Sequence, residues 1–174
     1  MRSIKIIAIA VLIFAFATAV SAQKKTVFTS TYSSMGAGCK VLKGGEGQDD
    51  AKLCPGPAGY QVRIYSSVAE TYIAAEKKGT DESTPVAVVG LDYNESKVKL
   101  EWRHANGKPF AIIIRMPKYE LRSDGEPGPG KKVGEILLVS GIGDFEFITE
   151  EIDAKKPGAT IKARAAADRA YRAN

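Results

Sequence analysis

From residue 26 to residue 149 the apolar positions fall into short runs, most of them alternating with polar residues. Gly, Pro, Asn and Asp cluster between the runs. Alternation with a period of two marks a half-buried strand. The pattern predicts strands over 26–33, 60–66, 71–75, 86–91, 97–104, 110–116, 135–140 and 144–149. No long helical period interrupts them, and no internal repeat is visible. Regularly spaced short strands point to antiparallel packing rather than to alternating βαβ units. The expected fold class is mainly β: a single antiparallel β-sandwich or barrel-like domain with a C-terminal α-helix.

One hairpin can be read in detail. Val98, Leu100 and Trp102 share one strand face, and Phe110, Ile112 and Ile114 share another beyond Ala105-Asn106-Gly107. A two-residue Asn-Gly loop would pair Trp102 with Ala111 and Val98 with Arg115, splitting the apolar sets. A three-residue loop pairs Trp102 with Phe110, Leu100 with Ile112 and Val98 with Ile114, with Gly107 in the left-handed position. A register slip turns large side chains outward, so the three-residue loop is expected, with Trp102 buried opposite Phe110.

The C-terminal end changes character. Ala163, Ala166, Ala167 and Ala170 recur at helical spacing after Pro157-Gly158, and Thr160 is placed to cap a helix. Arg164, Asp168 and Arg172 stand at i, i+4 spacing, suited to pairing on an exposed face. The small alanine stripe suits close docking on a sheet. It lacks the Leu, Phe or Trp with which a basic helix would enter a membrane surface.

At the other end, Arg2 and Lys5 precede an uncharged, largely apolar run from residue 6 to 20, then Val20-Ser21-Ala22. Basic residues, a short apolar run and a small-x-small site form the layout of a secretory signal. The run is at the short end for a membrane span. Three parts are therefore expected: a signal peptide at 1–22, a disulfide-stapled β-rich domain at 23–156, and an Ala-rich helix at 157–174 packed on it. The mature chain begins at Gln23, without stable membrane insertion, in the periplasm or outside the cell.

Composition narrows the chemistry. The 174 residues carry 25 Lys+Arg against 20 Asp+Glu, a formal charge of +5. Losing Arg2 and Lys5 leaves 23 basic against 20 acidic residues, or +3. With no dense basic stripe interleaved with aromatics, nucleic acid is not an expected partner. Cys39 and Cys54 are the only cysteines, and an even count in an exported chain reads as a disulfide closing the polar 40–53 loop. The staple is expected to tie a strand ending near Cys39 to the Cys54-Pro55-Gly56-Pro57 turn.

The candidates for catalysis are few. Residues 125–131 match the start of a phosphate-loop pattern, but Pro127 and Pro129 remove two N–H donors and Lys132 replaces the Ser/Thr. His104 is the only histidine, which rules out a multi-histidine zinc site in one chain, and no G-x-S-x-G elbow is present. Beside a tight turn, it reads as solvated or locally hydrogen-bonded. Asp144 and Glu146 would share a face of the last expected strand, with Phe145 and Phe147 inward; that spacing could suit paired glycosidase carboxylates, but the same alternation is what a half-buried strand looks like, and that is much the stronger reading. The acid-bearing loops 44–50 and 123–126 lack the ligand spacing of a calcium loop. Asn94-Glu95-Ser96 is a glycosylation sequon. No catalytic, metal or cofactor residues are assigned, and the site residues named are the disulfide cysteines Cys39 and Cys54.

Gly38-Cys39-Lys40, Cys54-Pro55-Gly56 and Gly59-Tyr60, followed by Trp102-Arg103 and Gly107-Lys108-Pro109-Phe110-Ala111-Ile112, resemble the patterns of small exported bacterial proteins of unassigned function. The resemblance implies export, a disulfide and a β-rich body, and carries over no catalytic residues. The expected function is that of a non-enzymatic binding or structural module whose partner is an envelope protein or polymer. Two alternatives stand beside it: a carboxylate-dependent hydrolase of envelope polymers acting through Asp144 and Glu146, and a hydrolase inhibitor acting through the 122–132 loop.

Overall fold

The first strand of the chain pairs with the seventh, and that pairing sets the architecture. The computed structural model describes residues 25–44, 50–67, 70–90, 93–120, 122 and 130–174. In chain order the strands are β1 (Phe28–Ser34), β2 (Lys40–Leu42), β3 (Ala51–Pro55), β4 (Tyr60–Ser66), β5 (Glu70–Lys77), β6 (Ser83–Gly90), β7 (Lys99–Ala105), β8 (Lys108–Tyr119), β9 (Lys132–Gly141) and β10 (Thr149–Asp153), followed by helix α1 (Ala159–Arg172). One sheet runs β1-β7-β8-β9-β10 and the other β2-β3-β4-β5-β6, every pairing antiparallel. The sheets face each other as an open sandwich, not a closed barrel. β1 lies against β3, and β6 lies against β8 and β9.

The β1–β7 sheet is covered on both faces, and its sequence reflects this. Leu100, Trp102, Ile112 and Ile114 enter the core between the sheets with Met35, Val62, Ile64, Ile73 and Val89. Ile113, Leu137 and Val139 point the other way and pack with Ala159, Ala163 and Ala167 of α1. A strand buried on both faces reads as a continuous apolar run, hence Ile112-Ile113-Ile114 in β8. Strand β4 has one covered face and alternates.

The hairpin between β7 and β8 is closed by two residues, not three. Ala105 pairs with Lys108 across Asn106 (φ 51°) and Gly107 (φ 82°), the backbone of a primed two-residue turn. A β-bulge between Arg103 and His104 then shifts the register by one, so Trp102 faces Ile112 and Leu100 faces Ile114. Leu100 and Trp102 still meet large apolar residues, through a bulge rather than a longer loop, but the expected pairing of Trp102 with Phe110 is not made. Phe110 is thereby turned to the α1 side, where it packs with Phe28, Phe145 and Tyr171.

Further expectations are corrected. Residues 144–149 do not form a strand: Gly143–Phe145 is a 3-10 turn, and β10 starts at Thr149. Asp144 and Glu146 are therefore not alternate residues of one strand, and Phe147 is exposed rather than inward. Strands β2 and β3 were not anticipated. Cys39 directly precedes β2 and bonds to Cys54 in β3, so the disulfide staples this hairpin one position beyond Lys40–Leu53. It does not tie a strand end to a turn. The N-cap of α1 is Gly158, at φ 73°, a left-handed conformation that Gly takes without strain, and Thr160 lies inside the helix. Arg164, Asp168 and Arg172 do not pair along the helix but reach to the sheet beneath.

Those contacts supply partners for polar groups buried under α1. Glu101 and Arg103 on β7 are buried. Arg103 Nε and Nη2 donate to the Asp168 carboxylate, and Nη1 donates to Ser30 Oγ. Arg164 Nε and Nη2 donate to Glu101, and Nη2 also donates to Tyr32 Oη. The Glu101 hydrogen bonds hold Arg164 above its ordinary pKa. Arg172 stacks over the Phe28 ring at 4.7 Å.

Candidate functional site

His104 is buried, with Nε2 2.7 Å from Thr31 Oγ1 and Nδ1 3.3 Å from the Gly107 carbonyl. One ring nitrogen thus has a partner in the turn and the other has one on β1, so the histidine is neither solvated nor bonded only locally. The two carboxylates weighed for hydrolysis have different surroundings. Glu146 Oε1 accepts a hydrogen bond from Thr84 Oγ1, while Asp144 lines a cleft of about 490 Å³ with Tyr60, Lys77, Glu82, Lys108 and Phe145. Within that cleft Tyr60 Oη donates to Glu82 Oε1 at 3.4 Å, and Lys77 Nζ stands 3.4 Å from Glu82 Oε2. Burial, followed by the Glu82 charge, raises the pKa of the Tyr60 phenol. Glu82 thus already serves Lys77 and Tyr60.

Residues 1–24, which hold the signal segment and its cleavage point, lie outside the described residues, as do 45–49 and 123–129. Most of the phosphate-loop match and most of the candidate inhibitor loop fall there. Asn94 of the sequon is exposed, its Oδ1 accepting from Ser96 Oγ at 2.6 Å. Among the described residues no group of three His, Cys, Asp or Glu side chains is placed to hold a metal ion, and no helix is long and apolar enough to cross a membrane.

The larger surface feature is the outer face of the β2–β6 sheet. Helix α1 packs on the other sheet, against β8, β9 and β10 and through side chains reaching β7 and β1. Cross-strand register places Leu42, Ala51, Tyr65, Tyr72 and Val88 in one row across all five strands. Every member is apolar or aromatic, and Leu42, Tyr65 and Val88 are at least 40% exposed. The Tyr65 and Tyr72 rings stack in parallel with centroids 5.1 Å apart. The Tyr72 hydroxyl donates to Glu70 Oε2, which raises the pKa of that phenol.

Polar side chains border the row. In the neighbouring rows Arg63 and Gln61 both donate to the Glu76 carboxylate, and Lys40 lies at the β2 edge. Burial pushes the Glu76 carboxyl up, but the bonds from Arg63 and Gln61 outweigh it, so the net shift is downward. The result is an apolar strip with hydrogen-bonding groups alongside. Sequence reasoning missed it because β2 and β3 were not anticipated, and because a row running across strands leaves no local pattern along the chain. Its one legible sign was the outward alternation of Arg63 and Tyr65. Compared with protein-family models, curated proteins and solved structures, the chain matches none.

Proposed function

We propose that this chain is an exported, non-enzymatic binding module of the cell envelope, and that the outer face of the β2–β6 sheet is its contact surface for an envelope polymer. The observation that carries the reading is the Leu42–Ala51–Tyr65–Tyr72–Val88 row, an apolar strip on the one sheet face that α1 leaves open. Contiguous exposed apolar surface rimmed by polar groups marks interaction sites. Tyrosines supply rigid apolar area with a polar tip, which suits a chain of rings bearing hydroxyls. The Cys39–Cys54 disulfide agrees with an oxidising compartment.

Co-sedimentation of the mature protein with isolated envelope polymer tests this. Tyr65→Ser and Tyr72→Ser together should abolish pelleting and leave the unfolding midpoint nearly unchanged, because surface substitutions move stability little. Unaltered pelleting of the double variant would remove the face from consideration. Polymer breakdown that stops in Asp144→Asn would favour the hydrolase alternative.

A further inference from the structure

Among the described residues four strands, β1, β10, β2 and β6, end the two sheets with no further strand beside them, and three of them carry features that discourage pairing. β2 is three residues long and starts with Lys40, β6 contains Pro85 beside a bulge, and β10 carries Glu150, Glu151 and Asp153. Short edges, prolines, bulges and charges are the usual protections against strand addition. β1 has none of them. Its seven residues, Phe-Thr-Ser-Thr-Tyr-Ser-Ser, are uncharged and free of proline, and their pairing with β7 has no register shift.

Hydrogen bonds at the two ends of that pairing fix which groups face outward. Asn106 N donates to the Val27 carbonyl and Met35 N donates to the Val98 carbonyl. In an antiparallel ladder the bonded positions alternate, so the odd-numbered residues from Val27 to Met35 bond to β7. The N–H and C=O groups of Phe28, Ser30, Tyr32 and Ser34 point to the free edge.

The lane beside that edge is one strand wide. β1 lies against β3, and β2 follows β3 in the facing sheet, so β2 extends beyond β1 with no described strand across from it. Val41 sits in the row Val41–Lys52–Ile64–Ile73–Ala87, the face turned to the sandwich core, yet is 58% exposed. Tyr32, Ser33, Ser34 and Lys99 line a concavity of about 450 Å³ at the end of this lane. A second copy does not fit. A twofold axis pairing β1 antiparallel with its equivalent would bring β2 of each copy into the lane occupied by β3 of the other.

We propose that the free edge of β1 is a strand-addition site for a single extended peptide segment that alternates apolar and acidic residues. Added strands gain affinity from main-chain bonds and specificity from alternate side chains. On the core side the segment's apolar residues cover Val41. On the helix side its acidic residues meet Tyr32, Lys99, Arg164 and Arg172. Among the described residues Lys99 and Arg172 pair with no carboxylate, so acidic side chains complement that rim.

The test uses the disulfide-bonded mature protein and a blocked heptapeptide, Val-Glu-Val-Glu-Val-Glu-Val, as the probe. Peptide should slow amide exchange at Ser30, Tyr32 and Ser34 by about tenfold or more. N-methylating two of its amides on the bonding edge should weaken binding by about tenfold or more, as lost main-chain bonds do. Replacing the three Glu by Lys should weaken it at low salt. Tyr32→Pro, at an outward-facing N–H, should abolish binding; should that variant fail to fold, the N-methylated peptide decides alone. No saturable binding, protection confined to another edge, equal affinity of the N-methylated or Lys peptide, or self-association that protects the same amides would each overturn the proposal.

Discussion

Arg103 and Asp168 lie 65 positions apart in the sequence and meet as a two-pronged ion pair, Nε to Oδ1 at 2.7 Å and Nη2 to Oδ2 at 2.6 Å. The pair stands between β7 and α1 with both side chains at least 85% buried. Planar guanidinium–carboxylate geometry fixes orientation as well as distance. The alanine stripe lets α1 approach the sheet, while Arg103–Asp168 and Glu101–Arg164 set its rotation and register.

Removing one partner should cost more than removing both. Asp168→Ala leaves the Arg103 charge buried without its carboxylate, a change that typically costs about 3–5 kcal/mol. The double variant Arg103→Met with Asp168→Leu should regain most of that, because apolar replacement of a buried pair is often neutral. Denaturant unfolding of the three proteins checks it, and a loss below about 1 kcal/mol in Asp168→Ala would show that the pair is not buried in solution.

Trp102 is fully buried, its ring 5.8 Å from that of Tyr60 and its Nε1 donating to Ser33 Oγ at 2.8 Å. Trp102→Ala should cost about 3–5 kcal/mol. Native fluorescence should be blue-shifted and resist quenching by iodide. Red-shifted, readily quenched emission would contradict the burial.

Gly56 lies close beneath the same ring. A Cβ there would stand 2.8 Å from Trp102 Cζ2 and 3.1 Å from the Tyr60 carbonyl oxygen. Gly56→Ala should therefore destabilise by about 1–3 kcal/mol through overpacking. A change in the near-ultraviolet circular dichroism of the tryptophan should accompany it.

The lowered pKa of Glu76 has a definite pH signature. A carboxyl that holds its proton less tightly when folded stabilises the fold above its unfolded pKa, near 4.3, and loses that contribution as pH falls through the folded value. Glu76→Gln should be destabilising at neutral pH and progressively less so in acid. Parallel stability–pH curves for the two proteins would count against this.

Cys39 and Cys54 close a loop with a sequence separation of 15. Opening it should lower stability by about 3 kcal/mol in the chain-entropy account. Unfolding with and without reductant measures the difference, and a thiol count on the denatured, unreduced protein should read zero.

Strands with one buried face were legible from alternation alone, as residues 60–66 show by matching β4. The β7–β8 register was legible only in its consequence. Leu100 and Trp102 stay opposite large apolar residues, but the bulge that turns Phe110 to the other face depends on which sheet face each neighbour finds, and composition does not encode it. Residues 144–149 failed for a related reason. Their alternation imitates a strand, whereas Gly141 N bonds to the Ile148 carbonyl and folds the segment into a turn. The pairing of Arg164 and Asp168 with β7 was invisible because i, i+4 spacing offers the same charges a local partner.

The long reach from β1 to β7 orders events during folding. Strands β2 to β6 each pair with a sequence neighbour, so their sheet can build itself from successive hairpins as the chain emerges. β1 cannot do the same, since Phe28 finds its partner only at Ala105. Closing so long a loop is slow, and contact order penalises it. An uncharged strand with both edges unpaired must therefore persist until the second half of the chain arrives. In that interval the nascent protein is most exposed to mispairing with its neighbours.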